Sequence, residues 1–182
     1  YIEKQVVDFS ELTSRGLFGI FGKTGSGKST ILDAITIAMY GNISRDTKEY
    51  INTSSDSAKI KYVFEIGNKH NKRRYCVERD FRRSKSGTAN SSRAILTEIH
   101  MDNTESVIAE QKMNVDKAII DIVGLTASDF TRSVVLPQGK FSEFLQLDDS
   151  KRREMLERIF NLEKYGRSLT EKIKNKRDGK KI

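Results

Sequence analysis

Apolar residues follow two different periods along the chain, and the changes of period divide the sequence into elements. Gln5 to Phe9 is a short strand candidate, and the continuous apolar run Leu17 to Phe21 predicts a buried strand covered on both faces. From Ser29 onward the apolar residues recur at helical spacing, at Ile31, Leu32, Ala34, Ile35, Ala38 and Met39. Gly41 then stands where a C-terminal glycine cap is expected, so the pattern predicts strand, loop and helix in that order.

Period two begins after a polar connector and predicts an antiparallel meander. In the first strand, apolar side chains alternate with polar ones at Ile60, Tyr62, Phe64 and Ile66. A GNKHNK turn leads to a second strand, in which Tyr75, Val77 and Arg79 alternate with their neighbours. The loop SKSGTANSS precedes a third strand, ILTEIHM, which completes the predicted meander.

Three shorter signals follow the meander. Val115 to Val123 has the pattern of a short helix, which Gly124 closes. Thr126 and Asp129 have the spacing of a capping box, which marks the start of another helix. The run Arg132 to Leu136 predicts one more strand.

The C-terminal segment predicts a helix that leaves the globular part of the chain. Its N-cap candidates are Asp148, Asp149 and Ser150. Behind them the apolar stripe thins while charged residues increase, which is typical of the base of a coiled coil. A C-terminal helix that frays into a solvated tail is the alternative. The predicted domains are therefore a lobe at residues 1–148 and a helix at residues 149–182.

Length and composition fit a soluble α/β domain. The 182 residues suffice for one compact core. No apolar run approaches the roughly 20 residues that span a bilayer, and the first residues lack the layout of a signal peptide, so we expect a cytoplasmic protein. The single cysteine, Cys76, has no partner for a disulfide or a Cys-based zinc site within this chain. We expect it to be a half-buried strand residue.

The stretch GKTGSGKS matches the phosphate-binding pattern G-x-x-x-x-G-K-[ST] between the predicted strand and the predicted helix. Its glycines allow close backbone approach, and N–H groups at the positive end of the helix dipole can point at phosphates. We expect Lys28 to reach the β- and γ-phosphates of ATP and the Ser29 hydroxyl to bind Mg²⁺. The predicted nucleotide-binding residues are Gly22, Lys23, Thr24, Gly25, Ser26, Gly27, Lys28, Ser29 and Thr30.

Two parts of a complete ATPase site have no counterpart in this sequence. Hydrolysis requires an acidic residue at the end of a buried strand, and the best candidate, Ala118 to Asp121, follows no strand and has a helical pattern. The serine-glycine-glycine signature that would cap the γ-phosphate from a partner does not occur. We therefore expect the chain to supply half of a nucleotide site.

A longer set of motifs resembles a known family. The runs RGLFGIFGKTGSGKSTILDAITIAMYG, GLTASDFTRSVVLPQGKFSEFL and RREMLERIF are similar to the N-terminal lobe of SbcC, the bacterial SMC-like, ABC-type ATPase of DNA double-strand break repair. The resemblance covers nearly the whole chain and implies a P-loop α/β fold with an antiparallel meander and a helix that starts a coiled coil. It also implies that Gln138 is a catalytic residue that binds Mg²⁺ and senses the γ-phosphate. From the residues alone, Gln138 is a polar loop residue.

The resemblance further implies partners, and an ATPase activity for the full-length protein only. In the family, a C-terminal lobe of the same protein completes the site, two heads dimerise with ATP, and the complex with the nuclease SbcD processes double-strand breaks and hairpins at the nucleoid. The nuclease docks at the coiled-coil base, here near Lys151, Arg152 and Arg153. Solvated helix charge is the alternative for these three residues.

The net charge of +8 permits binding of a polyanion. The segment from Lys69 to Lys85 contains eight basic residues and only two acidic ones. Seven of the basic residues are candidates for sequence-independent DNA contact, namely Lys72, Arg73, Arg74, Arg79, Arg82, Arg83 and Lys85. A charged outward face of a half-exposed sheet is the alternative.

Three other functions are compatible with a phosphate-binding loop. A small-molecule P-loop kinase requires an arginine-rich lid at the place where the meander is predicted. An ATPase lobe of another ABC type, as in transporters, requires a membrane-coupling partner. A DNA-binding protein with a vestigial loop would not bind nucleotide.

Overall fold

The computed structural model describes residues 3–13, 17–42, 50–68, 71–85, 87–135 and 146–153. The chain divides into two compact units, Tyr1–Ile119 and Ile120–Ile182. The predicted boundary between residues 148 and 149 stays a prediction. Within the described ranges, none of the helices has the length and apolar character that crossing a membrane requires.

The elements of the first unit follow the predicted order of helix and meander. They are α1 (Ser10–Thr13), α2 (Lys28–Tyr40), β1 (Ser57–Asn68), β2 (Asn71–Arg83), β3 (Ala89–Ile99), β4 (Glu105–Glu110) and the start of α3 (Lys112–Val123). The chain continues with α4 (Ala127–Phe130) and a π-helical segment (Thr131–Val135). Residues 149–153 are also helical.

The meander is confirmed and contains a fourth strand. The four strands form an antiparallel sheet in the order β1-β2-β3-β4, in which Tyr62 pairs with Val77 and Val77 with Leu96. The sequence pattern does not predict strand β4, because its residues are almost all exposed and no alternation of apolar and polar residues marks it. It lies at the sheet edge and, among the described strands, pairs with β3 alone.

One face of the sheet packs against α2 and forms the core of the first unit. The central cluster consists of Ile37 from α2, Ile51 from the connector, Phe81 from β2 and Ala89 from β3. Tyr50 contacts Phe81 edge to face, with ring centroids 5.4 Å apart. Cys76 lies on β2 and is buried, and burial raises the pKa of its thiol. Its structural role agrees with the prediction, although it is fully rather than half buried.

The predicted helix ends are confirmed in three places. Gly41 has a φ of 72° and its N–H donates to the Ile37 carbonyl at 2.8 Å, as a C-terminal cap does. Gly124 closes α3 in the same way, although α3 starts at Lys112, three residues earlier than predicted. Thr126 and Asp129 form the complete capping box of α4.

The prediction of two strands near the N-terminus is wrong. Residues 4–9 and 17–23 have no regular secondary structure, and Leu17 and Phe21 are 87% and 93% exposed. A strand that is apolar on both faces needs a layer on each face and a paired strand beside it. None of the described strands pairs with residues 17–21, so the apolar run is present without the sheet that its pattern requires.

The strand predicted at Arg132 to Leu136 is also wrong within the described residues. Thr131–Val135 is π-helical and directly continues α4. The hydroxyl of Thr131 donates to the Ala127 carbonyl at 2.7 Å, and that of Ser133 donates to the Asp129 carbonyl at 2.6 Å. The helix begun by the capping box thus overrides the strand preference of the two valines.

The C-terminal helix begins at the predicted place. The N–H of Arg152 donates to the Asp148 carbonyl at 2.9 Å, which places Asp148 at the N-cap. The predicted start of a coiled coil falls on residues 154–182, which lie outside the described residues.

Candidate functional site

The glycine-rich loop joins residue 22 to the first turn of α2. Gly25 and Gly27 have φ values of 83° and 86°, which side chains other than glycine rarely adopt. At Gly22, a Cβ atom would lie 2.8 Å from the Ser26 hydroxyl oxygen. The positive φ values at Gly25 and Gly27 and the close approach at Gly22 therefore favour glycine at these three positions of the loop.

Lys28 is folded back onto this loop. Its Nζ donates to the Gly22 carbonyl at 2.7 Å and to the Lys23 carbonyl at 2.8 Å, and it lies 3.5 Å from the Ser26 hydroxyl. The ammonium group thus lies at the centre of the loop, where oxygen atoms hold it in position. An ammonium group fixed at this position places a positive charge in the loop, and a positive charge attracts an anion.

The N-terminus of α2 opens onto the same loop. Helix α2 begins at Lys28, and Gly27 at the N-cap has no side chain that could accept from the N–H groups of the first turn. The side chains of Ser29 and Thr30 are exposed on that turn. An anion at this end would meet backbone N–H groups and the positive end of the helix dipole.

The structure brings together the nine predicted nucleotide-binding residues, numbers 22 to 30, in one loop and one helical turn. Gln138 lies outside the described residues, so its predicted role in metal binding stays a prediction. Ala118 to Asp121 lies on α3, which confirms that it is a helical face rather than the end of a strand. Nowhere in the described ranges do three or more His, Cys, Asp or Glu side chains cluster as metal ligands.

Arg79 was predicted as a surface residue for DNA contact, and that prediction is wrong. Its side chain has 0% exposure and points into the core face of the sheet. The Nε atom donates to the Ala38 carbonyl at 2.7 Å, and Nη2 donates to the Met39 carbonyl at 2.8 Å. Nη2 also lies 2.7 Å from Asp116 Oδ1 on α3. The sequence did contain a signal for this burial, because the alternation along β2 places Arg79 on the apolar face of the strand.

Other cations of the same stretch are also held by protein groups. Arg73 makes a two-pronged pair with Glu98, at 2.7 and 2.8 Å, and Lys72 pairs with Glu65 at 3.1 Å. The Nη2 of Arg83 lies within hydrogen-bonding distance of three carbonyls in the segment that precedes β1, those of Ile51, Asn52 and Ser55. Of the seven candidates, Arg74, Arg82 and Lys85 are exposed and have no ion pair among the described residues.

The outer face of the sheet carries charges of both signs. Lys59 and Lys61 on β1 lie 3.3 and 2.9 Å from the carboxylate of Glu78 on β2. Hydrogen bonding by Lys61 lowers the pKa of Glu78, and the same bond raises the pKa of Lys61. This part of the face resembles the solvated strand surface given as the alternative to DNA contact.

The basic residues at the start of the C-terminal helix differ in their contacts. Lys151 lies 3.0 Å from Asp148, and Arg152 lies 3.4 Å from Asp149 and donates to the Leu147 carbonyl at 2.9 Å. Arg153 is exposed. Two of the three cations are thus engaged within their own helical turn, as solvated helix charges often are.

Comparison with known proteins gives a family and a set of relatives. A family model described as AAA domain matches residues 1–182. The SbcC subunit of the SbcCD nuclease of Clostridium acetobutylicum is 49% identical over 174 residues, which are 95% of this chain and 15% of that protein. The proteins of the same name from Bacillus subtilis and Staphylococcus epidermidis are 43% and 31% identical, over 94% and 89% of this chain.

The relatives are much longer than this chain. The chain spans 15% of the Bacillus subtilis protein and 16% of the Staphylococcus epidermidis protein. The resemblance drawn from the motifs is confirmed, since these relatives carry the name of the family that the motifs indicated.

Proposed function

Because this chain belongs to the AAA domain family, we propose that it binds Mg²⁺·ATP through the loop at residues 22–30 and contributes half of a composite ATPase site. The observation that carries the proposal is the position of Lys28 Nζ, between the carbonyls of Gly22 and Lys23 at the N-terminus of α2. A cation held at a helix N-terminus favours a polyphosphate over a neutral ligand.

The residues present fit the proposed ligand. A Cβ atom at Gly22 would lie 2.8 Å from the Ser26 hydroxyl oxygen, and Gly27 has a left-handed backbone that other residues rarely adopt, so the loop shape depends on these glycines. Lys28 and the N–H groups of the loop would hold the phosphates, and the exposed Ser29 hydroxyl would be a Mg²⁺ ligand, with Gln138 as a second. Bound Mg²⁺ neutralises phosphate charge, and this chain's own contribution is to position the phosphates.

We further propose that the full-length protein is the ATPase component of a nuclease complex. The support is the name of the relatives that match almost the whole chain, which identifies them as the SbcC part of the SbcCD nuclease. The partners would be a C-terminal lobe of the same protein, a second head and the nuclease itself, at the nucleoid in the cytoplasm. ATP-driven closure of two heads would control access of DNA to the nuclease.

The proposal is tested by comparing this chain with the full-length protein. The 182-residue chain is expected to bind ATP in calorimetry but to hydrolyse it negligibly, because no buried apolar strand run in the sequence ends in an acidic residue that could position water. Turnover is expected to appear in the full-length protein. Substantial turnover by the purified chain, or no heat of binding in either form, would contradict the proposal of half a site.

DNA contact is proposed for the exposed cations of the meander. Arg82→Glu is expected to weaken double-stranded DNA binding by the full-length protein about tenfold at low salt and to reduce the salt dependence, because one phosphate contact is lost. Lys117→Glu, at an exposed position of α3, is the control with the same charge change. Fluorescence anisotropy at several salt concentrations measures both the DNA affinity and its salt dependence. Equal loss in the two variants would indicate a net-charge effect and refute a local contact.

A further inference from the structure

The C-terminal end of α2 is held by a side chain from the sheet. The carbonyl of Ile37 accepts from the N–H of Gly41, and the next two carbonyls, of Ala38 and Met39, accept from the guanidinium of Arg79. The last turn of a helix normally leaves its carbonyls to water or to a cap. Here three successive carbonyls are satisfied by fixed protein groups.

The guanidinium is itself held from the other side. Asp116 on α3 lies 2.7 Å from Nη2 of Arg79, and its second oxygen lies 2.7 Å from Lys112 Nζ. A buried arginine without a partner would be costly, so this carboxylate offsets the loss of hydration. The positive charge also faces the negative end of the α2 dipole.

The end of α2 and the Arg79 guanidinium have little room to move relative to each other. A Cβ atom at Gly41 would lie 2.9 Å from Arg79 Nη1, so the end of α2 and the guanidinium are in close contact. Helix α2 has 13 residues, which corresponds to a rod about 20 Å long. A helix transmits an axial shift along its length, because its hydrogen bonds resist stretching.

We propose that Arg79 is a positioning residue for the phosphate loop. It fixes α2 along its axis against β2 and α3, and thereby holds the N–H groups and Lys28 at the opposite end of the helix in place. The assignment of those groups to nucleotide binding rests on the proposed function. Arg79 itself does not touch the ligand, since its contacts are at the far end of the helix.

Two measurements on the full-length protein test this inference. Arg79→Lys retains the charge but lacks the planar fork that reaches two carbonyls and a carboxylate at once. In the absence of nucleotide, amide hydrogen exchange at residues 28–34 is expected to be faster in this variant. The Kd for ATP, measured by calorimetry well below Tm, is expected to rise about tenfold.

The control is Ile37→Val, which removes one buried methylene group from the same end of α2 and leaves the contacts of Arg79 intact. A purely structural role predicts that both variants lower Tm while ATP affinity and exchange at residues 28–34 stay as in the wild type. If exchange at these residues is no faster in Arg79→Lys than in Ile37→Val, the inference is overturned. Faster exchange with an unchanged Kd overturns it as well.

These experiments give a different result if the proposed nucleotide-binding function is wrong. A wild-type protein that does not bind ATP would refute the nucleotide site, while hydrogen exchange would still decide whether Arg79 positions the loop. Should Arg79→Lys not fold, Asp116→Asn is measured in the same way, because it weakens the hold on the guanidinium and keeps the carbonyl contacts. Faster exchange at residues 28–34 supports the inference, and unchanged exchange overturns it.

Discussion

Replacing Lys28 with alanine is expected to weaken ATP binding by more than about a hundredfold, to below detection in calorimetry. The ammonium group lies 2.7 Å from the Gly22 carbonyl at the centre of the loop, and phosphate oxygens would pair with it there. The variant loses both the charge and the group that the loop carbonyls surround. Titration of the full-length protein with ATP in the presence of Mg²⁺ measures the effect.

Lys117→Ala is the matched control for this substitution. Lys117 is exposed on α3, so the variant has the same change of net charge without a change in the loop. Its ATP affinity is expected to equal that of the wild type. Undiminished affinity of Lys28→Ala, with thermal unfolding unchanged, would remove the main support for a phosphate site at this loop.

Replacing Phe81 with alanine is expected to lower the free energy of unfolding by about 3–5 kcal/mol, the largest stability effect in the first unit. Phe81 has 0% exposure and contacts the Tyr50 ring edge to face at 5.4 Å. It joins β2 to α2 and to the connector before β1, because Ile37 and Ile51 belong to the same cluster. Truncation leaves a cavity bounded by three segments that cannot all move inward.

Val63→Ala is the control for this second prediction. Val63 is 37% exposed on neighbouring β1 and lies on the opposite face of the sheet from Phe81. Its truncation is expected to cost less than about 1 kcal/mol, because little apolar area is lost. Urea unfolding followed by circular dichroism compares the two variants. Equal losses would show that the cluster around Phe81 does not dominate the stability of this unit.

Short sequence patterns correctly predicted the elements that are specified by neighbouring residues. Helix α2 and its cap at Gly41 follow from apolar spacing and from a glycine that can adopt positive φ. The three long strands follow from the alternation of apolar and polar residues, and the capping box of α4 follows from two residues three apart. Each of these signals lies within a few residues of the element it predicts.

The predictions that failed required information from distant parts of a fold. The run at Leu17 to Phe21 has the composition of a central strand, but strands form only with paired neighbours, and no described strand pairs with it. Strand β4 has no pattern of its own and exists because β3 offers an edge to pair with. Arg79 was assigned to the surface by its charge, while its place on β2 directs it inward.

The sequence by itself determined where this protein has its glycine-rich loop and the helix that follows, because that signal depends on glycines and a lysine at fixed spacing within eight positions, from Gly22 to Ser29. Only the tertiary structure decided which cations are available to a partner and which hold the fold together. Arg79 and Arg82 are three residues apart on one strand, yet one is buried against α2 and the other is exposed. Successive side chains of a strand alternate between faces, and what covers each face is set by chain segments far away in the sequence.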